Sequence, residues 1–187
     1  MEFIGFNATC KPYSVLVDVR RRISDHFYLS ELIRTSVGDT RKILNHPDFL
    51  SIVNLTRLCE LVLEPLRGYL CTEFHIPYLI VNSAYRSATI NALVGGSSTS
   101  QHMSGLAADI PLLSPDLAFK VHSDDKDFKK ILRYYLDAIY DLNLPFDQLI
   151  FERKGTCVWL HISIAPVGKV PRRQALNIPE WYKPLPF

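Results

Sequence analysis

The chain has 187 residues, 48% of them hydrophobic and 21% charged, which fits one compact domain and argues against a disordered or fibrous protein. Its 21 basic and 19 acidic side chains leave a formal net charge of +2, too weak a field to gather a polyanion, so nucleic acid is excluded as a first expectation. No stretch reaches the roughly 18 to 20 apolar residues of a membrane span, and no basic-then-apolar leader opens the chain. The expectation is a product made in the cytoplasm, without a signal peptide and without membrane insertion.

In chain order, Leu29, Leu32 and Ile33, with Ser24 or Ser30 as a cap, predict a short helical turn near 30–35. Phe49, Ile52, Val53, Leu55, Leu58, Leu61, Val62 and Leu66 recur at helical spacing behind Asp48, predicting a helix over 47–70 that Pro65 kinks. The run YLIVN at 78–82 predicts a strand. A brief helix is expected over 87–93, then a small-residue loop, GGSSTS at 95–100, that delivers His102. Asp109 follows two alanines and enters a buried strand with Ile110 and Pro111.

Phe128, Ile131, Leu132, Tyr135, Leu136 and Ile139 mark a second amphipathic helix over 125–142, stopped by Asn143 and Pro145. Its approach, VHSDDKD around His122, reads as a polar loop. DQLIFE at 147–152 and CVWLHISI at 157–164 flank Gly155 and read as a β-hairpin. The tail from Pro166 holds five of the twelve prolines and is expected to lie extended over the surface. Cys10, Cys59, Cys71 and Cys157 form no C-x-x-C pair and read as free thiols, Cys157 as a small buried residue. The basic patches at 20–22 and 172–173 read as solvated faces or weak contacts to an acidic polymer.

Two imidazoles and a carboxylate, His102, Asp109 and His161, are the residue types that hold a catalytic zinc ion with one open coordination position. A carboxylate set between Ala108 and Ile110 is costly to bury unless a cation meets it. Each residue alone is equally an ordinary one: a lone histidine in an apolar strand is usually a satisfied core histidine, and a lone aspartate usually a turn or cap. Spacing by itself does not choose.

The block NSAYRSATINALVGGSSTSQHMSGLAADI at 82–110 resembles the SGYRSP…N…VGGS…SQH…G.A.DI signature of zinc D-Ala-D-Ala carboxypeptidases and the related phage endolysins that cut peptidoglycan peptides. Ser100, His102, Gly105, Ala107 and Asp109 match its S-x-H-x-x-G-x-A-x-D motif. LVLEPLRGYL upstream, FDQLIFE with WLHIS downstream, and RRQAL at 172–176 extend the likeness over about 25–176, leaving 1–24 and 177–187 as appendages to a single domain.

The resemblance implies an α+β fold, a small, mostly antiparallel sheet flanked by helices, of the Hedgehog and D-Ala-D-Ala peptidase type. It implies Zn2+ held by His102, Asp109 and His161, with Arg86 binding a substrate carboxylate or polarising the scissile carbonyl, and Ser100 bonding the substrate backbone or buttressing the site. Many relatives carry the general base three residues before the last histidine, where this chain has Val158; Glu152 is the expected substitute, with Asp147 behind it. Glu152 serves if the hairpin pairs it with Trp159 and pairs Ile150 with His161; a slip of one residue turns His161 away. The implied activity is hydrolysis in peptidoglycan peptide stems, at a terminal D-Ala or an internal L-Ala to D-Glu bond, by a monomer released by phage or carried in a phage particle. The same zinc scaffold in the Hedgehog signalling domain serves binding, so a catalytically silent zinc module is the alternative.

Overall fold

The computed structural model describes residues 20–115 and 120–183. Cys10 and most of the segment 1–24 lie outside those residues, as do the last positions of the tail. Two short helices, α1 (Leu29–Leu32) and α2 (Ser36–Arg41), lead into a helical run built from α3 (Phe49–Leu58), a π turn (Cys59–Leu63) and α4 (Glu64–Phe74). Asp48 starts α3 by accepting the Ser51 N–H at 2.7 Å, and His75, in the left-handed conformation at φ 55°, ends α4.

Pro65 has no N–H to return to the preceding turn. The helix absorbs this upstream by widening, with the Glu64 N–H reaching the Cys59 carbonyl, so the expected kink is a π turn in an unbroken run that continues past residue 70. Leu55, Leu58, Cys59, Val62, Leu63, Leu66 and Leu70 are fully buried, and each large apolar side chain so placed stabilises the fold by about 1.5–3 kcal/mol. Phe49 and Leu61 belong to the same sequence pattern but face solvent.

The strand expected at 78–82 does not form. Pro77 withholds a donor, Tyr78 and Ile80 turn outward, and the segment is joined to the sheet by the bridge of Ser83 to Asp109. The remaining elements are α5 (Ala88–Leu93), a 3-10 turn (Gln101–Ser104), β1 (Ala107–Pro111), α6 (Phe128–Asp141), β2 (Phe146–Lys154), β3 (Cys157–Ile164) and β4 (Gln174–Leu176). Helix α6 starts later than the expected 125, at Phe128, behind a turn in which the Asp125 carboxylate accepts the His122 N–H at 2.6 Å. Asn143, at φ 46°, stops it as expected.

The sheet order is β1-β3-β2-β4, antiparallel except for β4, which runs parallel to β2. This is the α+β, mostly antiparallel architecture expected. Strand β4 is the departure: the proline-rich segment supplies an edge strand rather than only covering the surface. Beyond it Tyr182 is buried against α6, with its ring 5.9 Å from Tyr140 and Arg133 over the rings of Trp181 and Tyr182.

Alternation divides the sheet. Ala108, Ile110, Val158, Leu160, Ile162 and Leu149 point into the core shared with the helices. The opposite face carries Asp109, His161, Trp159, Ile150 and Glu152, and over it lie the 3-10 turn and the loop at 94–100.

Candidate metal centre

His102 arrives on the 3-10 turn, and the turn can sit where it does because of Gly105. That residue has φ 68°, and a Cβ on it would fall 2.5 Å from the Ser51 carbonyl oxygen of α3. Glycine is therefore required twice, for the left-handed backbone and for the close approach. Asp109 and His161 are delivered by the sheet, directly opposite each other across β1 and β3.

The three side chains meet tightly. His102 Nε2 lies 3.1 Å from Asp109 Oδ1 and 3.2 Å from His161 Nδ1, which is itself 3.0 Å from the same Oδ1. Ligand atoms in a tetrahedral zinc site, with bonds of about 2.0 Å, stand roughly 3.3 Å apart. The triangle therefore has the size that a metal ion needs, and these residues are arranged to bind one.

Protonation points the same way. His102 Nδ1 donates to the Ala84 carbonyl at 2.6 Å, so its Nε2 presents a lone pair to the cluster. Burial lowers the His102 pKa and favours the neutral ring, against the pull of Asp109. Burial alone would raise the Asp109 carboxyl, but the imidazoles of His102 and His161 hold it well below the usual carboxylate range. Two imidazole nitrogens and a carboxylate oxygen crowded in a nearly buried site form an acceptor set whose natural occupant is a cation.

Arg86 approaches from the side. Its Nη2 donates to Asp109 Oδ2 at 3.3 Å, while its buried Nε has no partner among the described residues. Burial lowers its pKa, opposed by the charges of Asp109 and Glu152. Arg86 thus pairs with a member of the triangle and lines the cleft as well.

The hairpin register is the one that brings the expected base to the site face, Glu152 opposite Trp159 and Ile150 opposite His161. Val158 is buried in the core on the other face, so an acid there would point away from the triangle. Glu152 and Ser100 both line the cleft, whose volume is about 650 Å³. Ser100 precedes the 3-10 turn, and its hydroxyl makes no cap bond. Asp147 is instead buried and held by Arg172 and Gln101, an engagement that leaves it unsuited to carry protons.

Cys157, expected to be buried, is exposed beside the hairpin turn. His122 is bonded to Asp125 and Thr156 and stands apart from the triangle, as a polar loop residue. Trp159, Gln148 and Lys154 also line the cleft, and the sequence reading passed over them. Their shared parity with His161 and Glu152 in the two hairpin strands is the signal that finds them.

No curated protein matches the chain. A family model described as Peptidase M15 matches residues 25–139. The match takes in Arg86, Ser100, His102 and Asp109 and stops short of Glu152 and His161, which the sheet register joins to them.

Proposed function

The chain belongs to the peptidase M15 family, and on that premise we propose that it is a zinc-dependent hydrolase that cuts a peptide bond in the peptide stems of bacterial peptidoglycan. The observation that carries this reading is the triangle of His102, Asp109 and His161 at the wall of an open cleft. A bound zinc ion supplies Lewis acidity, acidifying a water and polarising a carbonyl.

The chain's own residues account for the rest of the chemistry. Glu152, on the triangle's face of the sheet, takes the proton of the attacking water and returns it to the leaving amine. Arg86 orients Asp109 through its 3.3 Å contact and offers its remaining N–H groups to the oxygen on which negative charge develops, or to a substrate carboxylate. Ser100, at the start of the turn that carries His102, hydrogen-bonds the substrate backbone. The bond cut is a terminal one releasing D-Ala, or an internal L-Ala to D-Glu bond. We place its action at the cell wall, after phage-mediated release or as part of a virion.

The test is incubation of the zinc-loaded protein with peptidoglycan fragments, with and without a chelator, read by product mass. A new peptide fragment that disappears with chelator and returns with zinc is the expected result, and its mass locates the bond. Zinc bound with no product at long times would instead favour a silent zinc-binding module.

A further inference from the structure

Beside the triangle lies a second polar cluster to which the proposed chemistry assigns no role. Asp147, at the bulged start of β2, is 4% exposed, and its carboxylate is saturated. Oδ1 accepts the Arg172 backbone N–H at 2.8 Å; Oδ2 accepts Arg172 Nε at 3.0 Å, Arg172 Nη2 at 2.5 Å and Gln101 Nε2 at 3.0 Å. The same Gln101 amide donates to the Ile164 carbonyl at 3.2 Å and accepts the Ser163 hydroxyl at 2.8 Å and Arg172 Nη2 at 3.3 Å.

The connectivity matters more than the number of bonds. Gln101 is the residue before His102, and Ser163 lies two residues beyond His161 on the same face of β3. Through Gln101 the cluster ties the 3-10 turn to the end of β3, and through Asp147 and Arg172 it ties both to β2 and to the segment leading into β4. A guanidinium that closes its Nε–H and Nη2–H on one oxygen of a buried carboxylate, while the backbone N–H of the same residue takes the other, is a directional joint that lysine cannot reproduce.

We infer that Arg172 is a positioning residue: with Asp147 and Gln101 it clamps the 3-10 turn to β3 and so sets the spacing of His102 and His161 for the metal. This rests on the metal-site reading above. It gives the C-terminal segment, which lies beyond the matched family region, a part in shaping the centre.

The test compares the full-length Arg172→Ala, Asp147→Asn and Arg172→Lys variants with Tyr182→Ala, which loosens the same C-terminal segment where it packs on α6 and removes none of the cluster's hydrogen bonds. Zinc affinity, the visible spectrum of the cobalt(II)-loaded protein and the melting temperature are measured for each. Arg172→Ala and Asp147→Asn are expected to bind zinc about tenfold more weakly, the scale of lost support around a ligand, and to shift the cobalt spectrum, with Arg172→Lys intermediate. Tyr182→Ala should lower the melting temperature and leave affinity and spectrum unchanged. If Arg172→Ala does not fold, Arg172→Lys carries the test by the same readouts. Wild-type affinity and spectrum in the Arg172 variants overturn the inference while the metal site stands; a wild-type protein that binds no zinc overturns both.

Discussion

At the scale of single residues, the proposed mechanism separates a binding role from a chemical one. The triangle of His102, Asp109 and His161 is assembled from atoms already 3.0–3.2 Å apart, whereas strand parity places Glu152 on the same face, where it lines the same cleft. Replacing Glu152 with Gln keeps the shape and removes the basicity. Hydrolysis should fall by about 10²–10⁴-fold while zinc content, measured by metal analysis, stays at the wild-type level. Full activity in that variant would move the base elsewhere. Val158 clarifies why: a residue three before His161 on a regular strand faces the opposite side, and here it is part of the core.

At the scale of elements, three short pieces of backbone decide whether the triangle closes: the 3-10 turn, the β1–β3 pairing and the contact of Gly105 with α3. Gly105→Ala adds a methyl 2.5 Å from the Ser51 carbonyl oxygen and 3.0 Å from Leu55 Cγ, at a φ that L side chains rarely adopt. A strain of about 1–3 kcal/mol follows, which lowers the melting temperature of a chain this size by roughly 2–12 °C. Because the turn must back away from α3, zinc affinity should fall with it. A variant that melts like the wild type would show that α3 yields instead. The π turn before Pro65 illustrates the opposite case, an imino acid absorbed within a helix whose buried stripe stays aligned.

At the scale of the molecule, distant segments are pinned by carboxylates. Glu64, at the start of α4, would be raised by burial, but hydrogen bonds from Ser24 and from the side chain and backbone of His26 hold it below its ordinary value. Asp147 is lowered chiefly by its hydrogen bonds from Arg172, against the effect of burial. A carboxyl whose folded pKa is lowered contributes stability above its unfolded value, near 4 for both types, and loses it as pH falls through the folded value. The carboxylate contribution to the denaturant midpoint should therefore hold down to about pH 5 and be lost below it, while His102, kept neutral by burial, adds a loss that begins as pH falls through about 6.5. Glu64→Gln and Asp147→Asn should each start lower and show a shallower acid limb; an unchanged limb in both would place the acid sensitivity elsewhere.

Local chemistry along the chain determined the long helix, because its apolar stripe and the Asp48 cap each act within a few residues. It also determined which residue types could hold a metal, and the hairpin whose register presents Glu152. Tertiary structure decided the rest. The 78–82 segment has strand composition but almost no partner to bond, β4 exists only because β2 offers it an edge, and Gln101, Asp147 and Arg172 meet across wide separations in sequence. Periodicity reports how one segment meets solvent and core, while ligand spacing and buried charge pairing depend on contacts between segments that no local pattern contains.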